Sequence, residues 1–194
     1  MNYFPLCANL LGKDVVLVGN GKQIQEKEAR LQAFQPNFIR RNTLRETDLT
    51  PRPTMVVIGD LPFSEAESAS KLCTARNIPV NVVDIPELCT FIFPALIVAG
   101  DLTVSVSTGG KAPGAAAYLA RYIRQTLPSK TDEILCWLSE IRIVLRKSLP
   151  SEAYTKAISC LTARAFEFGR VLLEEESTEI VVEVLNGVLF PEPK

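Results

Sequence analysis

Hydrophobic and polar positions along this chain follow two periods, and the change from one to the other lays out the architecture. Short apolar runs come first, at Asp14 to Val18, Thr54 to Ile58 and Val80 to Val83, with the second strand in chain order expected near Asn37 to Arg40. Runs of this length, rich in β-branched residues and lacking strict alternation, predict strands covered on both faces. Helical spacing appears between them. A segment with Ile24, Leu31 and Phe34 on one face follows the first run, and Ser64 to Arg76 follows the third. The latter carries Ala66, Ala69, Leu72 and Cys73 as its inward stripe and Ser64 as its cap. Thr43 to Pro53 is polar and holds Pro51 and Pro53, which predicts a loop with at most a short helix.

Beyond Val83 the pattern changes. Phe91 to Val98 is apolar, Gly100-Asp101 supplies a turn, and Leu102 to Thr108 sets Leu102, Val104 and Val106 against Thr103, Ser105 and Ser107, which predicts a hairpin. Pro94 inside it favours an edge or bulged strand, and a second copy of the chain is the simplest cover for such an edge. Helices follow. Pro113 suits a helix start, and Ala115 to Thr126 places Leu119, Tyr122 and Ile123 inward with Arg121 and Arg124 outward. After the stop at Leu127-Pro128, Ser129-x-x-Asp132 resembles a cap for a helix carrying Ile134, Leu138, Ile141 and Leu145. Ser151 caps another, with Ala157, Ile158, Leu161, Ala165 and Phe168 inward. Val171 to Lys194 joins the acidic Glu174-Glu175-Glu176 to the apolar Ile180 to Leu189, a terminal helix and a frayed end. The expected fold class is α/β: a Rossmann-like, mostly parallel sheet extended by a β-hairpin dimerisation region and followed by a small helical domain. The expected domains are 1–112, which includes the hairpin, and 113–194.

Composition narrows the function. With 194 residues, 47% hydrophobic, 22% charged and a net charge of −1, the chain reads as a soluble globular protein. No cluster of Lys and Arg marks a nucleic-acid binder. The longest apolar run, Phe91 to Ala99, is far below the ~20 residues a bilayer requires, and the N-terminal stretch lacks a signal-peptide pattern, so a cytoplasmic location is expected. The five cysteines are scattered and read as buried or incidental thiols. Histidine is absent, so acid–base chemistry falls to carboxylates, and Ser-His-Asp, Cys-His and His-based metal centres are excluded.

Candidate chemistry lies where strands end. Asp84 closes an apolar strand and is followed by Ile85-Pro86, which places a carboxylate at the ligand crevice of an open α/β sheet. Ser107-Thr108-Gly109-Gly110-Lys111 is a hydroxyl-rich, basic loop suited to anionic groups. Gly19-Asn20-Gly21, after the first strand, is either the phosphate turn of a dinucleotide site or a structural strand-to-helix turn. In the first case Gly19 allows the turn, Gly21 allows backbone approach to a pyrophosphate, and Ile24 stands where a third small residue is usual. Arg40-Arg41 stand where an acid would bind ribose; they suit a 2′-phosphate or form a surface pair. Asp60, after Gly59, is either near the cofactor or an acid at a helix N-terminus.

The central stretch NVVD-x-PELC-x-FIFPA, followed by GDLT-x-x-(V/I)STGGK-x-P, resembles the N-terminal module of siroheme synthase, whose members are precorrin-2 dehydrogenases and sirohydrochlorin ferrochelatases. The likeness covers roughly the first two thirds of the chain. It implies NAD-linked oxidation of precorrin-2 to sirohydrochlorin, with Fe²⁺ insertion as a possible second activity, in an intertwined homodimer acting on a tetrapyrrole. By that resemblance Asp84 is the catalytic residue for both reactions and a transient metal ligand. Gly19, Asn20, Gly21, Lys22, Gln23, Ile24, Arg40, Gly59 and Asp60 then belong to the cofactor site, and Ser107, Thr108, Gly109, Gly110 and Lys111 to the substrate site. The family usually reads GGG-x-V-A-x-R-K where this chain departs at Asn20, Gln23, Ile24 and Glu26. It usually shows Ala-Ala-Thr near Asp60, and many relatives have an acid at Ile85. Two other readings stay open: an NAD-independent chelatase or tetrapyrrole carrier, and a non-catalytic dimeric partner protein of tetrapyrrole synthesis.

Overall fold

A computed structural model describes residues 3–188. The chain divides into two compact units. One runs to Phe93 and takes in Gly109–Lys111; the other holds Pro94–Thr108 and the chain from Ala112 onward.

The first unit is a parallel sheet of four strands in the order β2-β1-β3-β4, formed by β1 (Asp14–Val18), β2 (Asn37–Arg41), β3 (Met55–Ile58) and β4 (Val80–Val82). Helix α1 (Lys22–Leu31) follows β1, and α2 (Phe63–Ala75) links β3 to β4. Alternate residues of each strand serve opposite faces. Val16, Val18, Val56, Ile58, Val80 and Val82 join Ala66, Ala69 and Cys73 of α2 in one core cluster. Val15, Leu17 and Val57 join Ile24 and Leu31 of α1 in another. Both faces are therefore apolar, which is why these strands showed no alternation. Thr43 to Pro53 is irregular apart from a short 3₁₀ turn at Glu46–Leu49, as its prolines predict.

The run from Phe91 does not begin a hairpin strand. The Thr90 N–H donates to the Val80 carbonyl at 2.8 Å, and the Asn81 side-chain amide donates to the Phe91 carbonyl at 3.0 Å. This segment lies along the outer edge of β4 and occupies hydrogen-bonding groups that an edge strand would otherwise leave open. Pro94 ends it, and β5 (Ala95–Ala99) starts beyond.

In the second unit β5 and β6 (Leu102–Val106) pair antiparallel as a sheet of their own. The hairpin groups with the helices and not within the expected 1–112 boundary, because its contacts run forward along the chain. α3 (Pro113–Thr126) packs on both strands, the Arg124 guanidinium donates to the Val98 carbonyl at 3.3 Å, and the Asp132 carboxylate accepts from the Asp101 N–H at 3.2 Å. On α3 the buried residues are Ala116 and Ala120, while Leu119 and Tyr122, expected inward, are 43% and 57% exposed. Small side chains let the helix approach the hairpin closely, and that turns the larger apolar ones outward.

Helices α4 (Thr131–Ser148), α5 (Ser151–Phe168) and α6 (Glu174–Leu185) share a core built on Ile134, Leu138, Leu145, Ala157, Leu161, Ala165, Ile180 and Val184. The expected serine caps are not used. Ser64 and Ser151 lie inside their helices, where Pro62 and Pro150 at the caps accept first-turn N–H groups, and Lys130 rather than Ser129 stands at the cap of α4. Phe168 is 45% exposed, with the Arg164 and Arg170 guanidinium carbons 5.4 and 5.2 Å from its ring centroid. The frayed end expected after α6 falls partly on 189–194, outside the described residues.

The α5–α6 junction is held by Arg170, whose guanidinium donates to both Glu176 carboxylate oxygens at 2.9 and 2.7 Å, while the Leu173 N–H donates to the same carboxylate at 2.7 Å. The Arg170 hydrogen bonds, then the Leu173 N–H, push the Glu176 pKa down from 4.5 to about 2. A carboxyl whose folded pKa is depressed stabilises above its unfolded pKa and loses that contribution as pH falls toward the folded value. Glu176→Gln should therefore lower Tm at pH 7, and its gap from wild type should close as pH drops from 4.5 toward about 2. Thermal melts across that range check it.

Candidate active site

Parallel register brings the C-terminal ends of the strands out along one edge of the sheet: Val18 lies opposite Ile58 and Arg41, and Ile58 lies opposite Val82. The turns after β1, β3 and β4 are consequently neighbours. Gly19, at φ 109°, donates its N–H to the Arg41 carbonyl at 2.8 Å, and the Gly59 N–H donates to the Val18 carbonyl at 3.0 Å. A Cβ at Gly19 would lie 2.0 Å from the Gly59 carbonyl oxygen. Only glycine permits this approach.

Gln23, in the first turn of α1, ties the three turns together. Its side-chain carbonyl accepts from the Asp60 N–H at 3.0 Å, and its amide nitrogen donates to Asp84 Oδ2 at 2.8 Å. Gly59 leaves the room for it, since a Cβ there would meet the Gln23 side chain at 3.3 Å. Asp60 and Asp84 both have left-handed backbone, at φ 58° and 62°. Asp adopts this region more readily than most residues. Both are exposed, so the sheet edge presents two carboxylates to solvent.

The Asp60 carboxylate reaches back to α1, where Oδ2 accepts from the Ile24 N–H at 3.2 Å. Asp60 thus lies at the start of α1, beside the glycine turn. The Ile24 side chain is 2% exposed and packs in the core beneath α1, so only its N–H faces the site. Asn20 and Lys22 lie around the same helix end; Lys22 is exposed and pairs with Glu26 at 3.9 Å. Arg40 is engaged by both Glu28 carboxylate oxygens, and Arg41 by Asp48 at 2.6 Å.

The basic loop is split between the units, with Ser107 and Thr108 in the second and Gly109–Lys111 in the first. Thr108 Oγ1 accepts from the Ala112 N–H at 3.1 Å, which steadies the entry to α3. Lys111 is exposed.

Lys27 was not among the expected site residues. Its ammonium lies 5.0 Å from the Phe93 ring centroid, and its pKa is lowered by burial and by the Arg30 charge, against the nearby Asp84, which raises it. The signal was in the sequence: Lys27 stands four residues after Gln23, on the same face of α1. Cys89 lies close by, donating its thiol to the Val82 carbonyl at 3.1 Å, with its pKa raised by burial. Among the described residues no group of three or more His, Cys, Asp or Glu could hold a metal ion.

A family model described as "Putative NAD(P)-binding" matches residues 24–95, a span that starts just after the glycine turn. The chain is 41% identical over 170 residues to a siroheme synthase of Thioalkalivibrio sulfidiphilus, covering 77% of this chain and 35% of that protein. It is 33% identical over 171 residues to the siroheme synthase of Azotobacter vinelandii, covering 77% and 37%. Over that span the chain is similar to siroheme synthases. A solved structure of SirC, precorrin-2 dehydrogenase, superposes on this chain with a TM-score of 0.68 at 12% identity, over 95% of this chain and 100% of that one. That likeness establishes the shared fold: a Rossmann-like parallel sheet with a hairpin and a helical region. The module spans a little over a third of the length of the siroheme synthases it matches.

The glycine turn fits the phosphates of a dinucleotide in its backbone: Gly21 carries no side chain at the end of α1, and the Ile24 N–H points there. The one mismatch is the carboxylate of Asp60, which already holds that N–H. Gly19→Ala should destabilise the protein by more than about 1 kcal/mol, because the new Cβ combines positive φ with collision against a backbone oxygen. A lowered denaturation midpoint with unchanged m-value is the expected result.

Proposed function

We propose that this protein catalyses NAD-dependent dehydrogenation of precorrin-2 to sirohydrochlorin. The observation that carries the reading is Asp84: a solvent-facing carboxylate in left-handed backbone at the crevice edge of a Rossmann sheet, held by Gln23, in a chain without histidine. Sequence similarity to siroheme synthases and the fold shared with SirC support it.

NAD⁺, held at the glycine turn, would supply the hydride acceptor. The chain's part is to bind, orient and take the proton. The Gly19 and Gly21 backbone and the Ile24 N–H would hold the phosphates at the start of α1. Asp84 Oδ2, oriented by the Gln23 amide, accepts the proton released as substrate carbon loses hydride, so that precorrin-2 and NAD⁺ give sirohydrochlorin, NADH and H⁺. Lys27 brings positive charge near Asp84. Lys111, exposed after the glycine pair of its loop, offers an ammonium to the substrate's carboxylates. NAD is favoured over NADP because Arg40 and Arg41 are already paired with Glu28 and Asp48, and a 2′-phosphate would have to break those pairs. Insertion of Fe²⁺ as a second activity is a finer extension in which Asp84 would accept the pyrrole protons.

The module works as a homodimer in this reading. Tyr118, Leu119 and Tyr122 leave one side of α3 apolar and 61%, 43% and 57% exposed, a face that a second copy would cover. Tyr122→Glu should shift sedimentation toward the monomer.

The deciding assay is anaerobic incubation with precorrin-2 and NAD⁺, followed by visible absorption. Asp84→Asn keeps shape and the tolerated left-handed backbone but removes the base, so turnover should fall by ~10²–10⁴-fold with Tm preserved. A sharp loss of Tm with normal turnover per folded molecule would assign Asp84 a structural role instead.

A further inference from the structure

We infer that Asp60 is an internal competitor for the dinucleotide's phosphate position, and that cofactor binds only after its carboxylate turns away from α1. The inference rests on the NAD-linked reading above and concerns how that site is controlled.

Three features converge on Asp60. Its Oδ2 holds the Ile24 N–H at 3.2 Å, the donor that the start of α1 would offer to a phosphate. Its carboxylate also fills the space that Gly21 leaves open: a Cβ built on Gly21 would lie 2.4 Å from Asp60 Cγ and 2.6 and 2.8 Å from the two oxygens. Finally, the residue is fastened from its own backbone, with φ 58° and its N–H donated to Gln23 at 3.0 Å. The carboxylate thus reproduces the charge, the hydrogen bond and the place of a phosphate. A dinucleotide must displace it, and while it stays nearby the two negative groups repel each other. Asp60 is exposed, so rotation into water is sterically open.

Gln23 links this displacement to chemistry. The same side chain that accepts from the Asp60 N–H donates to Asp84, so one amide spans the cofactor position and the proposed base. Asp60 is therefore a residue that limits dinucleotide affinity without touching the reacting atoms.

NADH titrations followed by nicotinamide fluorescence test this with the full chain and two variants. Asp60→Asn keeps the shape and tolerates left-handed backbone but removes the charge; Asp60→Gly suits the same φ and empties the position. Both should bind NADH at least about tenfold more tightly than wild type, with thermal melts confirming that each is folded. Wild type without measurable binding beside variants that bind gives the same support. Equal or weaker affinity in both variants overturns the inference while leaving the NAD-linked reading standing. Tightening in Asp60→Gly alone also overturns it, because charge would then play no part. If neither wild type nor either variant binds NADH at millimolar concentration, the NAD-linked reading itself falls and the inference falls with it.

Discussion

The contact on which the site depends is the backbone of Gly19 against the carbonyl of Gly59, where a Cβ would stand 2.0 Å from oxygen. It lets the turns after β1 and β3 close on each other at the sheet edge. From there the geometry follows. α1 starts beside the β3 turn, its first-turn Gln23 spans both neighbouring turns, and Asp60 and Asp84 are drawn to one end of the sheet. A larger residue at Gly19 would separate the turns and leave Gln23 unable to reach both acids.

Two acids stand together at this edge. Two carboxylates face solvent on left-handed backbone, conformations that cost free energy unless the surroundings impose them. The opposing charge is Lys27, half-buried above Phe93. Arg40 and Arg41, the cations nearest in sequence to a cofactor role, are already paired with acids of the same unit. The edge thus holds Asp84 against Gln23 and keeps the Ile24 N–H of α1 occupied by Asp60.

The second unit follows different physics. Its hairpin is covered by a helix that buries alanines, and its helices meet around aliphatic side chains that include the fully buried Ile134, Leu161 and Ala165. The junction before α6 depends on a bidentate Arg170–Glu176 pair rather than on a serine cap. Large apolar groups displaced outward on α3 become surface, and this is the basis for assigning them to a second copy.

The parallel sheet was legible in the chain alone, because uninterrupted apolar runs such as Val15 to Val18 and Val56 to Ile58 can be satisfied only between two apolar layers. The sequence also placed Asp84 at a strand end, since Ile85-Pro86 must stop β4, and the order of residues around it carried the family resemblance. Tertiary structure alone decided the rest. Helical spacing could not say whether α3 would bury Leu119 and Tyr122 or Ala116 and Ala120, because the choice depends on how closely the hairpin approaches. Nor could local sequence show that Phe91 would lie along β4 instead of opening a hairpin. The role of Asp60 was least legible, since its partners, Gly21, Gln23 and Ile24, lie more than thirty residues earlier. A carboxylate's function depends on which N–H it meets, and only the folded register of β1 against β3 brings that N–H within reach.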